Sequence, residues 1–220
     1  MQDIKKFVIN LKRRPDRLEL FQKNCPFKDV EVVYGFDGKN LRLEASQSEK
    51  LMTYRFTKLK PGEVGVFISH LRIFKEIVEK DIPFAFIMED DAIFCDDFSI
   101  KYPIILSEMP SDTDLLYIGG RFDPGFKMVS CSQITDNIVG HIIHNKKFLE
   151  AGSDTDRTLH AYIISNKLAK ILVNTFNTCP RIDKAIDDWI MRVSLENSLP
   201  IYNTQPLLCH SPLKGDSDIR

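Results

Sequence analysis

The sequence predicts a single α/β domain built on one central mixed, mostly parallel sheet flanked by helices. Three observations predict it. Short apolar runs such as Phe7–Leu11 and His160–Ser165 alternate along the chain with stretches of helical periodicity, the order that lays helices on the faces of a sheet. Five consecutive apolar residues, Phe84 to Met88, have no polar alternation, so that strand is expected to be buried on both faces. At 220 residues the chain suffices for one well-buried domain, and no repeat, low-complexity run or long linker divides it.

The elements follow in order. Phe7–Leu11 is the first strand, and after Lys12-Arg13-Arg14 an amphipathic helix opens at Pro15 and Asp16, carrying Leu18, Leu20 and Phe21. Glu31–Tyr34 is a second strand, closed by Gly35-Phe36-Asp37-Gly38, whose Asp-Gly pair marks a tight turn. Residues 39–60 are charged and weakly periodic, which suggests helical fragments and loop. A strong helix starts at Pro61-Gly62-Glu63: Val64, Phe67, Ile68, Leu71, Phe74, Ile77 and Val78 recur at the helical period, with Lys75, Glu76, Glu79 and Lys80 opposite. It feeds the apolar strand 84–88.

Beyond a polar, helix-like stretch near 96–109, Asp114–Gly120 forms a strand that stops at a double glycine. Residues 121–158, punctuated by Pro124, Gly125, Gly140 and Gly152, are expected to be a lid-like segment that orders on substrate binding and carries acceptor contacts. His160–Ser165 is a strand, Leu168, Ile171, Leu172 and Phe176 mark a helix, and a last helix covers about 183–197. Ile201-Tyr202 and Leu207-Leu208 supply closing strands.

Composition excludes some functions. Lys+Arg 30 against Asp+Glu 31 leaves a net charge of -1, so no basic field recruits nucleic acid, and an anion must be bound locally. The N-terminal residues enter a strand within a few positions and lack the apolar run of a signal peptide or membrane anchor. A cytoplasmic protein without a membrane span is expected, peripheral membrane contact being left open. The five cysteines, Cys25, Cys95, Cys131, Cys179 and Cys209, are irregularly spaced and are expected as free thiols.

The chemistry concentrates at Glu89-Asp90-Asp91, directly after the buried strand. Three adjacent carboxylates repel one another, so a cation or several donors must compensate them, and oxygen ligands suit Mn²⁺ or Mg²⁺. A solvated acidic turn is the alternative. Strand-end placement favours a site, because open α/β sheets bind ligands at the carboxyl ends of their strands. Asp91 is read as the first metal ligand, with Asp90 and Glu89 behind it; by strand alternation Glu89 and Asp91 share a direction and Asp90 points away, which leaves Asp90 to hold the sugar or a backbone amide.

Several segments taken together resemble glycosyltransferase family 25, which includes lipopolysaccharide and procollagen galactosyltransferases. They are Val8–Leu11 with Arg13–Arg17, Phe36-Asp37-Gly38, Pro61–Gly65 leading to Ser69-His70-Leu71, and Met88–Ala92. Leu116–Gly120, Ala161–Ser165, Ile186-Asp187 with Trp189-Ile190, and Ser217–Arg220 continue the series. The resemblance implies a GT-A type fold, a UDP-sugar donor, a divalent cation and transfer with inversion. It also implies a nucleotide-binding part at about 1–120 and an acceptor-side part at about 121–220. The expected activity is transfer of a hexose, galactose first and glucose second, to an oligosaccharide, lipopolysaccharide or glycoprotein.

The resemblance makes Asn10, Arg13, Arg17, Asp37, His70 and Asp90 donor-side candidates. Guanidinium forks suit phosphate or a uracil edge, and a solvated basic turn is the alternative for the arginines, Arg14 included. Asp37 lies where the family's turn meets the nucleoside, with an Asx turn on Gly38 as its alternative; His70 is a pocket residue or a core-edge histidine. His210 is carried as a third metal ligand, because GT-A enzymes often complete the metal shell with a late histidine. Ser217, Asp218 and Arg220 match the family's terminal motif and are expected to fold over the diphosphate. The base is Asp187: on the 183–197 helix it flanks the stripe of Ile186, Trp189, Ile190 and Val193, whereas Asp188 projects away. A helix cap, or an ion pair of Asp187 with Lys184 or Arg192, is the structural alternative. The competing functions are an inactive, transferase-like glycan- or nucleotide-binding module and a metal-dependent phosphodiesterase.

Overall fold

A computed structural model describes residues 4–40, 54–121, 131–141 and 158–211. Its first half runs β1 (Lys5–Asn10), α1 (Pro15–Asn24), β2 (Val30–Tyr34), α2 (Pro61–Glu79), β3 (Phe84–Glu89), β4 (Ile93–Phe94) and α3 (Phe98–Glu108). The second half runs β5 (Leu115–Tyr117), β6 (Gly119–Arg121), β7 (Cys131–Gln133), β8 (Ile138–His141), β9 (Ala161–Ser165), α4 (Asn166–Thr178), α5 (Ile186–Glu196), β10 (Ile201–Thr204) and β11 (Cys209–Ser211). Eight strands form one sheet in the order β2-β1-β3-β9-β5-β10-β8-β7, and a small sheet β4-β11-β6 lies beside it.

The expected α/β architecture with a mixed sheet is present. Its parallel share is smaller than expected: β1 runs parallel to β2 and β3, and β5 to β10, while β9 inserts antiparallel between β3 and β5. A second departure lies in the glycine-punctuated region, where β7 and β8 form a hairpin that extends the sheet antiparallel to β10. Alternating short runs there encode strands, not only a loop. Residues 122–130 and 142–157 fall outside the described residues.

Strand alternation distributes the core. Phe7, Ala85, Ile87, Tyr162 and Ile164 face one side of the sheet, where they meet Phe67, Leu71, Phe74 and Ile77 of α2 with Leu168, Leu172, Trp189 and Ile190 of α4 and α5. Val8, Phe86, Met88, Ala161 and Ile163 face the other side, against Phe21 of α1 and Phe98, Tyr102 and Ile105 of α3. Both faces are therefore covered, which is why Phe84–Met88 carries no polar residue. Trp189 packs on Phe67 with ring centroids 5.0 Å apart, so α5 is fixed against α2. Leu20, expected on the buried side of α1, is 61% exposed. The last helix starts at Ile186, later than the expected 183, with Ala185 as its N-cap.

The loop after β2 is clamped onto the first turn of α2. Ser69 Oγ accepts from the Phe36 amide at 2.8 Å and donates to the Gly65 carbonyl at 2.7 Å. A Cβ on Gly38 would lie 1.9 Å from the Pro61 carbonyl oxygen, so only glycine allows this approach. Gly38→Ala is expected to destabilise the protein by about 1–3 kcal/mol, read as a lowered denaturant midpoint; an unchanged midpoint would mean the clamp is loose. The four cysteines whose side chains are described are free thiols. Among the described residues no helix is long and apolar enough to cross a membrane.

Candidate functional site

The carboxyl ends of β1, β2 and β3 lie side by side, since Ile9 pairs with Glu89, Asn10 pairs with Tyr34, and the Gly35 amide donates to the Asn10 carbonyl at 2.8 Å. β9 runs the other way, so it is its beginning that reaches this edge: the Glu89 amide donates to the His160 carbonyl at 2.9 Å. A solvent-open cleft of about 630 Å³ lies there, lined by Ile9, Leu11, Arg17, Phe36, Asp37, Val66, His70 and the three acids among others.

The same alternation that divides the core divides the site. Glu89 continues the Ala85-Ile87 face and His160 the Tyr162-Ile164 face, so both lie on the α2 side of the sheet, where His70 meets Glu89. One oxygen of Glu89 is 3.4 Å from His70 Nε2 and the other 3.2 Å from His160 Nδ1. The same His160 nitrogen is 3.2 Å from Asp91 Oδ1. Glu89, Asp91 and His160 thus offer ligand atoms that all lie within 4.8 Å of one another. Two carboxylates and an imidazole at this spacing suit a divalent cation such as Mn²⁺.

On the opposite face Asn10 Nδ2 donates to Asp90 Oδ2 at 2.7 Å and to the Arg14 carbonyl at 2.9 Å. Arg17 of α1 reaches Asp90 and also lies 3.0 Å from Asp91 Oδ2. The acids therefore carry two protein cations, Arg17 and His160. Burial opposes the charge on His160, but hydrogen bonds to Asp91 and Glu89 outweigh it and carry its pKa up to about 10. Burial also opposes ionisation of Glu89, and the hydrogen bonds from His160 and His70 overcome it, holding that carboxyl well below the usual range. Asp90 goes the other way: burial outweighs Arg17 and Asn10, and its pKa is pushed up to about 6.

The remaining candidates are placed as follows. Asp37 is buried at the cleft wall; its Oδ1 accepts from the Lys39 amide at 3.0 Å in an Asx turn, and its Oδ2 accepts from Arg13 Nε at 2.7 Å. Arg14, half-buried, pairs with exposed Asp16 at 3.0 Å. His70 is fully buried, with Nδ1 2.7 Å from the Tyr162 hydroxyl. His210 stands opposite Ile93 and Gly120 in the small sheet, and the histidine of the ligand cluster is His160. Burial lowers the His210 pKa.

Asp187 is half-buried in the first turn of α5 and Asp188 is exposed. Burial raises the Asp187 pKa, and the charges of Asp188 and Glu89 add to that shift. Its Oδ1 accepts from the Asp188 amide at 2.9 Å, while Arg192 lies 3.9 Å from Asp183 and 3.9 Å from Glu196. Asp187 is not among the residues lining the cleft. Ser217, Asp218 and Arg220 lie outside the described residues.

His160 and Tyr162 were not singled out from the sequence. Their shared face was legible in the alternation of His160–Ser165; that this strand lies beside Glu89 was not.

Comparison with known proteins bears on the same segments. The family model described as "Glycosyltransferase family 25 (LPS biosynthesis protein)" matches residues 3–190. Procollagen galactosyltransferase 2 of Mus musculus is 34% identical over 127 residues, which cover 52% of this chain and 20% of the relative. Procollagen galactosyltransferase 1 of Danio rerio is 34% identical over 129 residues, 52% of this chain and 21% of its own length. "Probable inactive glycosyltransferase 25 family member 3" of Bos taurus is 30% identical over 127 residues, with 52% and 21% covered. The chain spans about a fifth of the length of these curated relatives.

Proposed function

The chain belongs to glycosyltransferase family 25, and from that premise we propose that it transfers a hexose, galactose first and glucose second, from a UDP-sugar to a hydroxyl of an oligosaccharide, lipopolysaccharide or glycoprotein. The observation that carries this is the meeting of Glu89, Asp91 and His160 at the end of a cleft walled by Asp37 and Phe36. The procollagen galactosyltransferases among the relatives favour galactose.

Glu89, Asp91 and His160 would hold Mn²⁺ or Mg²⁺. When bound, such a cation neutralises diphosphate oxygens and stabilises UDP as the leaving group. Asp37 would accept from a ribose hydroxyl or the uracil edge, with Leu11 and Phe36 supplying apolar wall. Arg17, which lines the cleft, and Arg13, paired with Asp37 at its wall, would exchange their carboxylate partners for donor phosphate. Asp187, outside the cation cluster, is the base: the acceptor oxygen bonds to the anomeric carbon, the bond from that carbon to UDP breaks, and the acceptor's proton passes to the Asp187 carboxylate. Its raised pKa makes it a stronger base than an exposed aspartate.

The test is UDP release from UDP-galactose and UDP-glucose with a panel of oligosaccharide, lipopolysaccharide and glycoprotein acceptors, with and without Mn²⁺. Acceptor- and Mn²⁺-dependent release is expected. A relative named as inactive, together with acids already neutralised by Arg17 and His160, favours a second reading, a binding module without turnover. UDP and Mn²⁺ binding with no release from any donor would decide for it.

A further inference from the structure

We propose that His70 and Tyr162 form a buried brace that orients Glu89 and thereby sets how tightly the site holds a divalent cation. Both are positioning residues, and the proposal rests on Glu89 being a ligand as proposed above. His70 and Tyr162 are each 0% exposed, so every polar atom they carry needs a partner within the protein. His70 Nδ1 meets the Tyr162 hydroxyl at 2.7 Å, and Nε2 meets Glu89 Oε1 at 3.4 Å.

Hydrogen-bond chemistry fixes the direction of this chain. An ionised carboxylate only accepts, so Nε2 carries the ring proton and donates to Glu89. A neutral imidazole then has a bare Nδ1, and it accepts the Tyr162 O–H. The opposite arrangement, with Nδ1 protonated, would leave the Tyr162 proton without an acceptor in a dry interior, at a cost comparable to a lost hydrogen bond. Tyr162 therefore holds the tautomer, and the tautomer holds Glu89. The rings also stack at 30° with centroids 5.7 Å apart, which hinders rotation of the imidazole.

The result is a division of labour within one carboxylate. Oε1 is tied to His70, and Oε2 is left facing His160, 3.2 Å away. Without the brace Glu89 can swing, and the ligand atoms lose their mutual spacing. Both nitrogens of His70 are engaged by protein atoms, so its part in the site is exerted through Glu89 and not by contact with the donor.

The experiment uses the full chain and Mn²⁺ alone, with binding read from the signal of free Mn²⁺ in electron paramagnetic resonance. His70→Leu and Tyr162→Phe are expected to weaken Mn²⁺ binding about 10- to 100-fold, the range for residues that orient metal ligands. His70→Gln, whose amide can still donate to Glu89, is expected to stay within a few-fold of wild type. Independently of any variant, the ¹⁵N spectrum of the metal-free wild type should show His70 protonated at Nε2 and bare at Nδ1. A proton on Nδ1 overturns the brace. So does wild-type Mn²⁺ affinity in both His70→Leu and Tyr162→Phe when Asp91→Ala has lost it, and that result leaves the metal site itself standing. Failure of the wild type to bind Mn²⁺ removes the metal reading and the brace together.

Discussion

Asp187→Asn is expected to lower transfer by about a hundred- to ten-thousand-fold while leaving UDP and Mn²⁺ binding intact. The amide keeps the shape of the side chain and its contact with the Asp188 amide but cannot take the acceptor's proton. The loss should therefore appear in kcat, with donor KM little changed. Asp188→Asn is the control, because that side chain is exposed and should change the rate only a few-fold. Equal damage from both substitutions would place the base elsewhere. The most informative format is single-turnover transfer beside a UDP-binding isotherm for each variant.

The second large effect concerns Asp91. For wild type, UDP with Mn²⁺ at a hundred times the dissociation constant should add about 2.7 kcal/mol to the folded state. Asp91→Ala should abolish that increment, since it removes a ligand from a cluster of three described candidates. The ligand-free protein should unfold near the wild-type temperature: the Asp91 side chain is 28% exposed, and Arg17 retains Asp90 when Asp91 is gone. Thermal unfolding with and without UDP and Mn²⁺ separates the two components. A wild type indifferent to the ligands would remove the metal-nucleotide reading, and an equally stabilised Asp91→Ala protein would move the cation away from this carboxylate.

Legibility from sequence followed the range of the interactions. The run Phe84–Met88, the stripe on α2 and the phase that separates Asp187 from Asp188 are local patterns, and each is present as read. Alternation also anticipated that Glu89 and Asp91 would share a direction and that Asp90 would point away, but not that Asp90 would meet the Asn10 side chain. What could not be read is which strand lies next to which. His160 enters the cluster because β9 pairs with β3, a partnership that no residue in either strand specifies by itself. Antiparallel insertion of β9 also explains why the sheet is less parallel than the alternation of strands and helices suggested. The hairpin β7-β8 escaped because its strands are short and Gly140 reads as loop. His210 had the right chemistry for a ligand, but its position opposite Ile93 depends on a small sheet whose strands of two or three residues leave almost no periodic trace.

The central place of β9 also sets a timetable for synthesis. Asp91 leaves the ribosome 69 residues ahead of His160, an interval of roughly 3–14 s at typical elongation rates. Through that interval β3 can pair with β1, but its other edge, the apolar run Phe84–Met88, has no neighbour. An open apolar edge of this kind invites pairing with other nascent chains. The three acids at its end supply charge next to that edge before they have any ligand to hold, and Arg17, already made, is the cation then available to them. A fragment ending before His160 would keep the edge and lack the closing strand, so it should aggregate during expression where the full chain does not.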